Sequence, residues 1–373
     1  MINCNRRDGS ARAVNEVAEI LASRGHDVHL YARTVEDLDL GAIRWHRVPG
    51  PGWPEVADFA SYHIAVNRML AGHDYDIVHS IGCNTLRANV VTIQNIQPVK
   101  MRVLESTSAG ERVSLPRRIT RRLYLAVTCR AEKNLYPWRE GKKPPVFLPV
   151  SHGVEKELRE TYRIGPAKVR IVPNGADATV FRPISGQERR AWREANGFGP
   201  EDHLAIFSGG EWSRKGLEPA IRAVAMLPEA KLFIAGDDPD RARFQELARS
   251  CGAGGRIRFG GFRKDIPTAL AASDVFLFPS HYEAFSLATI EAAACGLPII
   301  ATKINGTEDF ISPGETGFFV SHEPRDIAAQ LAALLADREA RLRMGANARA
   351  LVGKKYTWDR IASLTEEAYK LAL

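Results

Sequence analysis

Short runs of Val, Ile, Leu and Phe recur along the chain, and between them apolar residues return every three or four positions. The runs have the pattern of strands buried on both faces, and the intervals that of amphipathic helices. Their alternation predicts parallel sheets with helices packed on both sides. In the first half a helix over 10–24 follows Gly9 and precedes the strand VHLYA (28–32). IRWHRV (43–48), a helix near 58–71, YDIVHS (75–80) and NVVTI (89–93) come next. A long basic helix covers about 117–136, and VFLPV (146–150) runs into a helix capped by Ser151. The strand ahead of the first helix is short, with little before Arg6.

A second series opens after VRIVPNGAD (169–177), where the turn residues Pro173, Asn174 and Gly175 cluster. HLAIFSGG, KLFIAGDD, RIRFGGF, DVFLFPS, LPIIAT and GFFV are its strands, separated by helices from about 216, 239, 265 and 287. The chain therefore reads as two doubly wound, Rossmann-like α/β domains, 1–168 and 169–355. A last helix over 356–373 follows the second sheet and is expected to cross back to the first domain. Open sheets of this kind bind ligands beyond the carboxyl ends of their strands, so the two domains are expected to face each other across a ligand cleft.

Composition narrows the class. With 45% apolar and 25% charged residues in 373, the chain suits a two-domain globular protein. No apolar run is long enough for a membrane span, and the first residues lack the apolar core of a secretory signal. Five scattered cysteines without a Cys-x-x-Cys pair argue against a disulfide framework or a zinc site and for a reducing compartment. Charge is uneven. Residues 100–143 hold twelve Lys or Arg against four Glu, a local +8 that exceeds the +7 of the whole chain. A solvated helix face accounts for such a stretch, and so does a surface for phosphates of lipid headgroups or nucleic acid.

Two segments could carry chemistry. HYEAFSLATIEAAACG (281–296) sets Glu283 and Glu291 in a strip of small and apolar residues just after a strand end. Ser286 can cap the helix 287–295, and the exposed amides at 286–288 form a seat for a phosphate. A carboxylate beside that seat suits a neutral hydroxyl better than an anion. A nucleotide sugar offers a diphosphate to the amides and sugar hydroxyls to both glutamates. A surface loop carboxylate and a solvated helix residue account for the same spacing. In the second segment, SGGEWSRKG (208–216), Gly209 and Gly210 allow close backbone approach, while Arg214 and Lys215 can grip a diphosphate. Neither the Walker nor the dinucleotide spacing is present.

DGSARAV, VPNGAD, SGGEWSRKG, FGGFRKDI, SHYEAFSLATIEAAACGLPIIAT, NGTEDFI and GETGFFV occur in this order. The set resembles the retaining family 4 glycosyltransferases of GT-B fold, and Glu283 and Glu291 match that family's Glu-x7-Glu motif. Within the family, the basic 100–143 region and the spacing from VSHGVEKEL to VPNG are similar to lipopolysaccharide-core glucosyltransferases. The resemblance implies roles residue by residue. Arg214 and Lys215 would bind the donor diphosphate, and Glu283 the hydroxyls of the transferred sugar. The amides at Phe285, Ser286 and Leu287 would take the distal phosphate, and Glu291 the ribose. Phe262 and Arg263 would flank the base, and Gly9 would let the diphosphate approach the first helix. Departures are Gly209-Gly210 in place of the usual Gly-Arg, and Ala284 and Ser286 where the family has glycines. His79 and His152 are the candidates for the histidine that the family places near the anomeric carbon.

The implied reaction moves a hexose from a UDP- or GDP-sugar to a hydroxyl of a glycan or glycolipid, with retention. It needs no metal and no cofactor beyond the donor. A UDP-GlcNAc 2-epimerase-like enzyme or a non-catalytic nucleotide-sugar-binding protein are the alternatives. The basic stretch, with Tyr124, Tyr136 and Trp138 among its cations, suits an anionic membrane surface. No nucleic-acid motif accompanies it. A cytoplasmic enzyme, peripheral on the inner face of the membrane, is expected.

Overall fold

The computed structural model describes residues 3–5, 9–107, 115–141 and 143–373. Two α/β units divide them. The first holds the chain through Asn174 together with Trp358–Leu373, and the second holds Gly175–Thr357.

The first unit begins with β1 (Asn3–Cys4), α1 (Gly9–Ser23), β2 (Val28–Ala32), β3 (Thr34–Val35) and β4 (Ile43–Arg47). It continues through α2 (Glu55–Leu70), β5 (His79–Ile81), β6 (Val90–Ile93), α3 (Gln97–Thr107), α4 (Leu115–Leu135), β7 (Val146–Pro149) and α5 (His152–Thr161). Every pairing is parallel, yet among the described residues the strands form three small sheets, β1–β3, β2–β4 and β5–β6–β7. Alternation along β2 sends Leu30 and Ala32 into a cluster with Ala18 of α1, and Tyr31 into another with Tyr62 and Val66 of α2. The strand expected over 75–80 starts only at His79. The Asn89 side chain accepts the Val78 N–H at 2.8 Å, in place of a strand partner.

In the second unit come α6 (Gly186–Ala195), β8 (His203–Ser208), α7 (Leu217–Ala225), β9 (Ala230–Ala235), α8 (Arg241–Ser250), β10 (Ile257–Gly261) and α9 (Ile266–Ala271). They are followed by β11 (Val275–Phe278), α10 (Leu287–Ala294), β12 (Ile299–Thr302), α11 (Thr307–Phe310), β13 (Gly317–Val320), α12 (Pro324–Ala336) and α13 (Arg338–Lys355). Here the six strands form one parallel sheet in the order β10-β9-β8-β11-β12-β13. β11 and β12 are buried at every position, as continuous Val, Ile and Phe runs require when helices cover both faces. The final helix, α14 (Trp358–Tyr369), belongs to the first unit, where it packs on α1.

The division lies a few residues beyond the expected 168. Segment 169–172 runs along β7, bridged from Val169 to Phe147, with the Val172 N–H on the Pro149 carbonyl at 3.1 Å. At the other end Tyr356 stays with the second unit, its ring 5.6 Å from that of Phe285, and α14 begins two residues later.

The basic stretch needs one correction. Tyr136, expected among the surface aromatics, is fully buried against the edges of Phe147 and Tyr162. Tyr124 is half-buried and Trp138 is exposed. Arg6, Arg112, Lys142 and the side chains of Arg117, Arg118 and Arg121 lie outside the described residues. Among the described residues, no helix is long and apolar enough to cross a membrane.

Candidate functional site

The sheet of the second unit reverses its strand order between β8 and β11, which pair directly through Val275 with Ala205 and Phe276 with Ile206. A crevice at the carboxyl ends of two such strands is where doubly wound sheets hold ligands. Both sequence segments follow these two strands. The structure therefore brings loop 209–216 and loop 279–286 side by side.

Loop 209–216 is held from below. Trp212 is fully buried, its indole N–H on the Gly209 carbonyl at 2.8 Å and its backbone N–H on Asp238 Oδ2 at 2.9 Å. Gly216 ends the loop with φ +76°, and a Cβ there would meet the Pro279 carbonyl oxygen at 1.9 Å. Only glycine lets the two loops lie this close. The His281 N–H then donates to the Arg214 carbonyl at 2.9 Å. Lys215 is half-buried, its Nζ 5.2 Å from the centre of the Phe278 ring. Gly209, at φ +124°, leaves room for it: a Cβ there would sit 2.4 Å from Nζ.

Arg214 departs from expectation. Its guanidinium donates to Glu283 Oε1 at 2.8 Å, to Glu211 Oε2 at 2.6 Å and to the Tyr282 carbonyl. Burial lowers the Arg214 pKa, but the Glu283 and Glu211 carboxylates outweigh it and the net shift is upward. Glu283 is only 15% exposed, and a carboxylate so placed needs a partner. Arg214 supplies that partner and fixes where the carboxylate points. Lys215 is the cation beside this pair.

Ser286 caps α10, accepting the Thr289 N–H at 3.2 Å, so the first amides of this helix open at the loop that carries Glu283. Phe285 and Glu291 are buried, and Leu287 is half-buried. Glu291 lies inside α10. There it helps burial push the Cys295 thiol up to about 12, burial being the larger cause.

Other residues group differently. Phe262 and Arg263 follow β10, two strands away from β8. Phe262 is exposed, whereas Arg263 is bound to Asp265 at 2.6 Å and lies over the Trp192 and Phe233 rings, at 5.8 and 5.5 Å. Its guanidinium is thus held in place within the unit. Gly9, His79 and His152 belong to the first unit, Gly9 opening α1 and His152 opening α5. His79 is half-buried: Nδ1 meets Tyr369 Oη at 2.9 Å and Nε2 meets Thr92 Oγ1 at 2.7 Å. Burial pushes its pKa down to about 4.

Of the site neighbours, Gly210 had an assigned role in the sequence, whereas Gly306, Thr302, Thr307 and His281 had none. Gly210 was noted for backbone approach; a Cβ there would lie 3.1 Å from the Asp237 carbonyl. Gly306, at φ +79°, backs onto Phe285 so closely that a Cβ would come within 2.8 Å of the Phe285 Cα. Thr302 donates to the Ser280 carbonyl, and Thr307 to the Thr302 carbonyl at 2.7 Å. His281 stacks on His322 with centroids 3.9 Å apart, and burial, then the neighbouring imidazole, pushes its pKa down to about 4. Nothing in the local sequence signalled Glu211, Asp238 or the histidine stack.

Two family models match the chain in tandem, Glycosyltransferase Family 4 over residues 7–180 and Glycosyl transferases group 1 over 188–351. The chain is a family 4 glycosyltransferase. The lipopolysaccharide glucosyltransferase WaaG of Escherichia coli K12 is 24% identical to it over 84% of this chain and 82% of the relative. A crystal structure of WaaG covers 100% of this chain and 98% of its own, with a TM-score of 0.79 at 23% identity. The D-inositol 3-phosphate glycosyltransferase of Xylanimonas cellulosilytica is 31% identical over 58% of this chain and 54% of the relative, so the chain matches about half of that protein. Anabaena HepE, solved with UDP and glucose, has a TM-score of 0.75 at 16% identity, covering 99% of both chains. These likenesses establish the GT-B fold of this glycosyltransferase.

Proposed function

We propose that this glycosyltransferase moves a hexose from a UDP-sugar to a hydroxyl of a glycan or glycolipid, with retention of anomeric configuration. One observation carries the reading. Arg214 clamps Glu283 at the strand switch point, beside Lys215 and the N-terminus of α10. A carboxylate so held accepts hydrogen bonds from sugar hydroxyls, while the lysine and the helix amides receive the phosphates. Negative charge gathers on the leaving diphosphate as the glycosidic bond breaks, and pre-placed donors there stabilise the transition state more than the ground state. In this reading the lysine and helix amides do the work a metal ion would otherwise do, and the acceptor hydroxyl attacks from the face the diphosphate leaves. Buried Glu291, one helical segment further on, holds the ribose. The names of WaaG and the HepE complex support a glucose-type UDP donor.

The test is a thermal-shift screen of UDP- and GDP-sugars, followed by an assay of diphosphate release. Stabilisation by a UDP-hexose, with UDP released only when acceptor is added and unaffected by EDTA, is the expected result. Sugar isomerisation without release, or binding without turnover under any acceptor, would replace the reading by an epimerase or a binding protein.

The first unit supports a membrane-borne acceptor. On α4, Ile119 and Leu123 are exposed one turn apart, and Arg122, Arg130 and Lys133 are exposed along the same helix. Apolar side chains among cations suit an anionic bilayer surface, each cation contributing about 1 kcal/mol. Sedimentation with anionic liposomes at low salt, lost with neutral liposomes, is the expected result; equal sedimentation with both contradicts it.

A further inference from the structure

Strands β11, β12 and β13 are neighbours in the second sheet and run parallel, ending at Phe278, Thr302 and Val320. The residues just beyond their carboxyl ends therefore meet. Ser280 and His281 follow β11, Thr302 closes β12, and His322 stands two residues past β13. From there His322 reaches across the end of β12 to the loop that carries Glu283.

The peptide group joining Ser280 to His281 is held from both sides. Its carbonyl accepts the Thr302 hydroxyl and, at 3.3 Å, His322 Nε2. A carbonyl oxygen only accepts, so His322 carries its proton on Nε2. On the opposite side the N–H of the same peptide donates to the Arg214 carbonyl at 2.9 Å. A peptide is planar, and a turn of its oxygen turns its N–H as well. The ends of β12 and β13 are thereby tied to the main chain of loop 209–216.

Ser280 itself is fully buried against the carboxylate. Its hydroxyl lies 3.5 Å from Glu283 Oε1 and 3.3 Å from the Tyr282 and Arg214 carbonyls. The Arg214 guanidinium meets the same Glu283 oxygen at 2.8 Å. His281 in turn seats His322: the two rings are 3.9 Å apart and parallel to within 6°. His281 is half-buried and His322 exposed. Burial, then the neighbouring imidazole, pushes the His281 pKa down to about 4, so that ring is neutral near pH 7 and does not repel its partner. A stack that served the fold alone would show in stability. This chain of bonds ends at Glu283, so its loss shows in how the site holds a sugar.

We propose that His322 is a positioning residue of this glycosyltransferase: by donating to the Ser280 carbonyl it fixes the loop that presents Glu283. The inference rests on the reading of Glu283 as the carboxylate that meets the transferred sugar.

The test measures the dissociation constants of UDP-glucose and of UDP, whose ratio reads the sugar contact apart from the nucleotide. His322→Phe keeps a flat ring on His281 but cannot donate. It should weaken UDP-glucose about 3–10-fold, as for loss of one hydrogen bond, with UDP affinity and Tm retained. It should also speed exchange of the His281 amide about threefold or more. His322→Gln, whose amide nitrogen can take the place of Nε2, should restore both. A wild-type ratio in His322→Phe would overturn the proposal, whatever its exchange. So would equal losses in the two variants, or a parallel loss of UDP affinity and Tm, which marks a role in the fold alone. Glu283→Gln is the reference and should lose the preference for UDP-glucose over UDP. If it keeps the wild-type ratio while His322→Phe alters amide exchange, the donor reading fails and the proposal with it, although the tie at Ser280 stands.

Discussion

Among the described residues, the second unit builds six strands into one sheet, whereas the first divides its strands among three. The difference is not one of strand composition, since VVTI and VFLP are as apolar as VFLF and IIAT. Among the described residues it is pairing: β8 is bonded to a strand on both sides, whereas β2 and β5 are each bonded on one. With β8 in place, the loops after β8 and β11 are forced together, and an ion pair can form between residues 69 apart, Arg214 and Glu283. In the first unit, His79 after the Val78 bend is instead bound to Tyr369 of α14. A central strand therefore positions chemistry as much as it holds the core.

The sharpest way to break this comparison is to remove charge from each unit in turn. Lys215→Ala should lower kcat by roughly 10²–10³-fold, as expected for losing one donor to the leaving group. Lys168→Ala, in the first unit, removes a bond to the Leu371 carbonyl and should leave kcat unchanged. Comparable losses in both variants, measured by initial rates, would mean that the charge is not concentrated at the second unit's switch point.

Backbone closeness gives the next largest contrast. Gly216→Ala drives a Cβ into the Pro279 carbonyl at positive φ, and should destabilise the protein by about 2–4 kcal/mol. Gly25 has φ +92° but open space around it, and Gly25→Ala should cost only about 1 kcal/mol. Urea denaturation of both variants checks the difference. Equal costs would show that loops 209–216 and 279–286 do not lock together.

The two glutamates should separate by step. Glu283→Gln should lower kcat about 10–100-fold with little change in UDP affinity, because it addresses the sugar whose bond breaks. Glu291→Gln should weaken binding of donor and free UDP alike, by about tenfold, with kcat retained. Normal UDP binding by both variants would remove the ribose from Glu291.

A smaller effect is shared by the units. His79 and His281, one in each, both have pKa values held near 4 by burial, against 6.5 when unfolded. Each therefore adds stability above pH 6.5 that is lost as pH falls toward 4, where the buried neutral ring must take a proton. Tm should fall over that window, and His281→Asn should flatten part of the fall. A Tm that is constant from pH 6.5 to 4 would contradict the burial of both rings.

How far the sequence could be read follows the same contrast. Continuous apolar runs made the second sheet legible strand by strand, because parallel strands buried on both faces leave no ambiguity of period. The positions of Glu283, Lys215 and Ser286 at strand ends were legible for the same reason. The partner of Arg214 was not: whether a guanidinium meets phosphate or carboxylate depends on a loop 69 residues away. Tyr136 looked interfacial because its neighbours are cations, but its contacts are Phe147 and Tyr162, on other elements. His79 was ambiguous for lack of a visible partner, which α14 supplies from the far end of the chain. The short first strand was visible in the sequence.

The central claim, that Arg214 acts by holding Glu283 for the transferred sugar, is tested most directly by a double-mutant cycle on kcat with Arg214→Ala, Glu283→Gln and the pair. If the arginine works through the glutamate, the double variant should be no slower than the slower single variant, and all three should bind UDP as the wild type does. Multiplying losses, together with weakened UDP binding in Arg214→Ala, would show instead that Arg214 grips the diphosphate on its own account, and would contradict the claim.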